Sequence, residues 1–270
     1  MNNSQKYLFD LQGFLVIEDV LTDAQCDQAI DKIKQRMKPM EKTPNGYDSN
    51  GTWHHAPNLW EAGEPFLSLI DHPKVTDVLS EIISPTLRCE SSYSFVRYKD
   101  CPVFEMHGGS RGGRVNFRYD ARNGQIYTGL TVISYNLQDV APEDGGFSAI
   151  PGSHKADFQL SEAERKELFA FGGPLVRTIP APRGAAVIFT ETLAHGAASW
   201  QREDEPRYGL FYKYNDRAAV YHEQGNRRPS NEALAMMTDA QRCYFNTAWQ
   251  AFGPDGRNTN DVPEFGPDAG

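Results

Sequence analysis

Three shortages in this sequence each remove a class of function. The 270 residues hold four cysteines, Cys26, Cys89, Cys101 and Cys243, with no CxxC pair among them. Too few to staple a chain long enough to build its own core, they read as reduced, ordinarily buried thiols in a cytoplasm. Positive charge is also short: 27 Lys and Arg against 36 Asp and Glu leave a net charge of −9. Binding to a nucleic-acid polymer rests on an excess of Lys and Arg, so no such partner is expected. Finally, no run of about 18 apolar residues occurs, and the first residues, MNNSQKYLFDLQGF, lack a cationic start followed by an apolar stretch. The expectation is a soluble cytoplasmic protein without a membrane partner.

Turns and short strands are what the chain has in quantity. With 23 Gly, 17 Pro and 39% hydrophobic residues, the composition leans towards β structure. One domain is expected over residues 1–270: a helical N-terminal region at 1–85, a β core at 86–215 and a C-terminal extension at 216–270. Residues 6–21 read as a short helix leading into a strand, and Thr22 caps a helix running to about Met37, with Cys26, Ile30 and Ile33 at helical spacing. Residues 38–62 have no steady period and read as a long loop over a pocket. Residues 65–84 read as a helix ended by Pro85. Strands are expected at 86–98, 127–137, 174–179, 184–190 and 207–214, the pattern of a sandwich or barrel, with a surface helix within 154–170 and a frayed tail from about Gly253.

Two histidines stand beside glycines on either side of the predicted strands, His107 in Glu-Met-His-Gly-Gly and His195 in Leu-Ala-His-Gly-Ala. Neutral imidazole suits Fe(II), and two such ligands leave positions free for a cosubstrate and dioxygen; the alternative is a pair of satisfied polar residues. Twelve positions after His195, Arg207 opens a strand whose alternation puts Arg207, Gly209 and Phe211 on one face and Tyr208, Leu210 and Tyr212 on the other. An arginine pointing into a barrel needs an anion, and a dicarboxylate supplies one through bidentate pairing. The competing reading is a surface arginine paired with Glu203 or Asp204.

The stretch Asp139 to Phe147, then Ile150-Pro-Gly-Ser-His-Lys155, and Phe189-Thr-Glu191 leading to His195 and Arg207, resembles the phytanoyl-CoA dioxygenase family over about residues 8–215. The resemblance implies a mainly β fold, a double-stranded β-helix of the jelly-roll or cupin-like kind, with N-terminal helices packed outside. It also implies Fe(II) held by His107 and His195, 2-oxoglutarate anchored by Arg207, molecular oxygen as co-reactant, and a small-molecule substrate. In the family the histidine corresponding to His154 belongs to a structural turn and holds no metal. Candidates by position for further 2-oxoglutarate contacts are Thr131, Ser134 and Ser199.

The family's iron motif is His-x-Asp, and here the third position is Gly109. Related radical halogenases have Ala or Gly there, with chloride or bromide in the vacated position. A water or a distant carboxylate, Asp120, Glu105 or Glu191, is the alternative, and hydroxylation would follow. A binding protein that kept the barrel and lost turnover is a third reading. The segment from Ser110 to Arg122 carries four arginines among glycines; Arg111 and Arg114 could form an anion-binding concavity for a phosphate- or carboxylate-bearing substrate, the alternative being a solvated loop. His54 and His55, in the aromatic loop, either line a substrate pocket or lie on the surface.

Overall fold

The computed structural model describes residues 1–246 except 115, 159 and 222–227, and of residues 112–114 it describes the backbone alone. The tail from Gly253 lies outside the described residues. Asn2 and Thr22 each form a reciprocal capping box, which satisfies first-turn N–H groups and starts α1 (Asn3–Gln12) and α2 (Asp23–Arg36). Between them runs β1 (Phe14–Ile17).

The expected loop at 38–62 is only partly a loop. It contains β2 (Lys38–Pro39) and β3 (Trp53–Pro57), which pair with each other, and β3 also pairs with β4 (Leu87–Arg97). The expected helix from 65 shrinks to α3 (Pro73–Ile82); Pro73 sits at its first turn, where a missing N–H costs nothing. Residues before it are turns held from the sheet: the hydroxyls of Tyr212 and Tyr214 donate to the carbonyls of Phe66 and Ile70 at 2.6 and 2.9 Å. Apolar spacing alone could not see that external support.

The chain continues through β5 (Phe104–His107), β6 (Gly112–Arg114), β7 (Phe117–Arg122), β8 (Gln125–Thr128), β9 (Thr131–Asn136) and β10 (Gly146–Ile150). Then come α4 (Glu162–Leu168), β11 (Arg177–Thr178), β12 (Ala186–Thr190), β13 (Ala194–Ala198), β14 (Arg207–Asp216), α5 (Asn231–Met236) and α6 (Asp239–Cys243). Antiparallel pairing gives a seven-stranded sheet, β1-β12-β9-β14-β4-β3-β2, a four-stranded sheet, β11-β10-β13-β5, and a small meander, β6-β7-β8.

The middle of the large sheet is covered on both faces, so β9 and β12 are buried without interruption while their parity still sorts side chains. Ile133, Tyr135, Ile188, Leu210, Tyr212 and Tyr214 join the core beneath the helices. Val132, Val187 and Phe189 point the other way and pack with Phe147 and Ala149 of the smaller sheet. The site opens on this second side. Among the described residues no helix is long and apolar enough to cross a membrane.

Candidate functional site

His107 and His195 are cross-strand partners between β5 and β13, which brings residues far apart in sequence to a ring-centroid distance of 4.1 Å. Each ring is oriented by its own strand: Nδ1 lies 3.1 Å from the Glu105 carbonyl in His107 and 2.7 Å from the Leu193 carbonyl in His195. A carbonyl can only accept, so Nδ1 carries the proton and Nε2 presents its lone pair. Burial keeps both rings neutral, and His195 is pushed down to about 3 by burial and by the neighbouring His107.

Glu191 stands beside them. Its carboxylate and the two imidazoles offer three ligand atoms within 4.8 Å of one another, and His107 Nε2 lies 4.0 Å from Glu191 Oε1. Both carboxylate oxygens also accept from Lys213 Nζ, at 3.2 and 3.3 Å. Burial opposes ionisation of Glu191, but the charge and hydrogen bonds of Lys213 hold the carboxyl below its ordinary value. Of the three alternative carboxylates, Glu191 alone is near the imidazoles. Glu105 is exposed and bonded to Tyr47, and Asp120 pairs with Arg122 at 3.4 Å.

Arg207 is buried, 3% exposed, so the surface reading with Glu203 or Asp204 fails: Asp204 pairs with Arg202 and Glu203 with Lys99. Room for the guanidinium comes from Gly146, at φ +86°, where a Cβ would stand 2.9 Å from Arg207 Nε. Directly across the ladder sits Arg97, 1% exposed and 4.8 Å from the Trp53 ring. Arg97 donates to the Ala198 carbonyl at 2.5 Å, but its Nε and Nη1 have no partner, nor does Nε of Arg207. Burial, together with Arg97 alongside, pushes Arg207 down to about 9. Burying unpaired charges costs several kcal/mol each, so this pair is built for an anion.

The two histidines and the two arginines share a cavity of about 340 Å³, and Glu191 lines an adjoining recess that also borders His107 and Tyr221. The cavity's polar members include His107, His195, Arg97, Arg207 and Lys213; Trp53, His55, Tyr93, Phe95 and Phe211 form much of its wall. The size falls in the usual range for small-molecule sites. The donor set fits a divalent iron, with two neutral imidazoles and one carboxylate, and the unmatched guanidiniums fit the distal carboxylate of 2-oxoglutarate.

The other expected residues divide by strand parity. His55 lines the cavity, whereas His54 turns towards Tyr98 on the opposite side of β3. Ser134 shares a face with Val132, and its buried hydroxyl has no partner; Thr131 is on the other face, bonded to Thr128 and to the Gly129 carbonyl. None of Thr131, Ser134 and Ser199 is among the lining residues. Arg111 is largely exposed and pairs with Asp157 at 3.7 Å, and the side chain of Arg114 lies outside the described residues. His154 is fully buried in its turn, with Nε2 3.1 Å from the Asp10 carbonyl, a structural role. The sequence reading missed Arg97 and Lys213. Lys213 could have been found, since it has the same parity as Arg207 on β14.

The phytanoyl-CoA dioxygenase (PhyH) family matches residues 9–205. Among curated proteins none matches the sequence. Among solved structures, HygX from Streptomyces hygroscopicus, with nickel, 2-oxoglutarate and hygromycin B bound, superposes with a TM-score of 0.71 at 22% identity, covering 86% of this chain and 94% of that one. AviO1 from Streptomyces viridochromogenes Tue57 gives 0.58 at 18% identity, covering 82% and 97%. The 2-oxoglutarate-dependent epimerase SnoN from nogalamycin biosynthesis gives 0.58 at 15% identity, covering 82% and 85%. The fold is therefore the cupin-like double-stranded β-helix of these enzymes, with helices at the N-terminus. The chain belongs to the phytanoyl-CoA dioxygenase family and is an enzyme of the iron- and 2-oxoglutarate-dependent oxygenase superfamily.

Proposed function

We propose that this member of the phytanoyl-CoA dioxygenase family oxidises an unactivated C–H bond of a small molecule in the cytoplasm, as one domain, with His107 and His195 holding Fe(II) and Arg207 holding 2-oxoglutarate. With both bound, the site couples oxidative decarboxylation of 2-oxoglutarate by dioxygen to oxidation of the substrate, giving succinate, carbon dioxide and, for oxygen transfer, an alcohol. The observation that carries the reading is the buried Arg97–Arg207 pair, with unpaired N–H groups in the cavity that holds both imidazoles.

The residues divide the work. Arg207 anchors the distal carboxylate, and the unpartnered hydroxyl of Ser134, opposite Phe211 on the same face of the sheet, is a further candidate donor. Backbone carbonyls at Glu105 and Leu193 fix the imidazole tautomers. The wall of Trp53, Tyr93, Phe95 and Phe211, with Tyr93 and Phe211 stacked at 5.2 Å, excludes water and favours a substrate that presents an apolar or CH-rich face. An anionic substituent would be met by Arg97 rather than by the exposed Arg111.

One observation favours a second reading. Gly109 offers no carboxylate, as in radical halogenases, and a chloride or bromide at iron would then give a carbon–halogen bond. The test is anaerobic absorption with Fe(II) and 2-oxoglutarate, followed by succinate and product analysis with and without halide. The expected result is a visible charge-transfer band for wild type and its loss at the same 2-oxoglutarate concentration for Arg207→Met. A folded protein with no band would end the cosubstrate assignment.

A further inference from the structure

The missing aspartate looks different once the direction of residue 109 is considered. A Cβ built on Gly109, at φ +86°, would stand 2.8 Å from the Phe169 ring and 3.1 Å from the Ala194 Cβ. Ala194 and His195 are consecutive on β13 and project to opposite faces. A side chain at 109 would therefore point away from His195, towards the side where Phe169 packs. With this backbone a side chain at 109 would not be aimed at the imidazoles, so the glycine does not by itself mark a vacated ligand position.

What the glycines permit is close approach. The Gly109 N–H donates to the Thr192 carbonyl at 2.9 Å, and a Cβ on Gly108 would stand 2.4 Å from the Leu193 carbonyl oxygen and 3.1 Å from that of Glu191. A substituent at 108 would push the 191–193 turn away from the end of β5. With hydrogen there, the turn lies against the pair and delivers the Glu191 carboxylate to the imidazoles. That carboxylate is 7% exposed, and Lys213 is the hydrogen-bond donor the structure gives it. A carboxylate has about four lone-pair sites, so an ammonium on one side leaves acceptors for a cation on the other.

We propose that Glu191 is the protein carboxylate of the iron site, that Gly108 and Gly109 are the clearance that lets it in, and that Lys213 is a positioning residue holding it. The proposal rests on the iron reading above. It assigns the third protein position to an oxygen ligand, leaving no vacancy for halide.

The experiment is an anaerobic calorimetric titration of the full chain with Fe(II), and with Mn(II) as a redox-stable probe, followed by chloride titration of the 2-oxoglutarate charge-transfer band. Thermal melts confirm folding of each variant, and Glu191→Gln, which preserves shape, stands beside Glu191→Ala. Expected are a tenfold or greater loss of metal affinity in both variants, a wild-type band indifferent to chloride, and a chloride-responsive band in Glu191→Ala. Lys213→Met should weaken metal binding less than Glu191→Ala and add nothing to it in the double variant, the mark of a residue acting through Glu191. Wild-type affinity in folded Glu191→Ala and Glu191→Gln, with binding lost in His107→Ala, would overturn the Glu191 assignment and leave the iron reading standing. A wild-type band that shifts with chloride would also overturn it. Failure of wild type to bind metal at all would end the iron reading itself.

Discussion

The two faces of β14 treat polar groups in opposite ways. On the helix-covered face, Tyr212 and Tyr214 are fully buried, and each hydroxyl finds a backbone carbonyl in the 66–70 turns. On the other face, Arg207 is nearly as buried yet keeps an unpaired N–H, and its neighbour across the ladder, Arg97, keeps two unpaired nitrogens. Most buried polar groups in a finished core are satisfied. The helix side also holds the unpartnered Trp60 Nε1 and Ser94 Oγ, so what marks the site is that the unpaired groups there are cationic guanidiniums.

The sharpest break would come from Leu210→Ala on the helix-covered face. It should cost about 3 kcal/mol through transfer and cavity terms, lowering the melting temperature while leaving the KM for 2-oxoglutarate of the folded fraction unchanged. A similar total, up to about 3 kcal/mol, is expected from acid in the apoprotein through His154, whose ring is held at about 4 mainly by burial. The folded state resists a proton that the unfolded chain takes up near pH 6.5. Stability is therefore full above that pH and falls as pH drops towards 4. Denaturant midpoints across that range check it, and His154→Gln should reduce the slope, leaving the part that His107 and His195 contribute in the same direction.

On the open face, Arg207→Met should raise the KM for 2-oxoglutarate by about 100-fold, roughly 2.7 kcal/mol, with the melting temperature unchanged or higher because an unpaired buried cation is gone. A matching loss of stability would erase the contrast between the faces. Tyr212→Phe should cost about 1 kcal/mol by leaving the Phe66 carbonyl without its donor, with no kinetic effect. Smallest is the split between neighbours on β3: His55→Ala should change substrate KM a few-fold, and His54→Ala should leave it unchanged, as steady-state kinetics would read.

How far the sequence could be read follows from the same alternation. Arg207 and its facing were legible because parity in a strand is a local property, and His107 and His195 because the order of motifs carried them. Thr131 and Ser134, three positions apart, could not both face the cavity, and parity alone would have separated them. Arg97 was hidden because its meaning comes from lying opposite Arg207, a relation between strands that neither segment states alone. The turns at 66–70 were misread as helix for a like reason, since their support comes from tyrosines far along the chain. Gly109 left two readings open, a halide or a distant carboxylate such as Glu191, because its identity is local while the direction a side chain there would take depends on the approach of the 191–193 turn.

The order of strands in the large sheet also governs when it can form. β14 is the last strand among the described residues, yet it lies between β9 and β4, and β1 pairs with β12, Phe14 opposite Phe189. Until residues 207–216 leave the ribosome, the sheet exists at most as two fragments, β1-β12-β9 and β4-β3-β2, each with an open edge where β14 belongs. Unpaired edges invite pairing with other chains, and such distant pairings form slowly. A chain cut short before Arg207 would lose its cosubstrate anchor and become a candidate for aggregation in the same event.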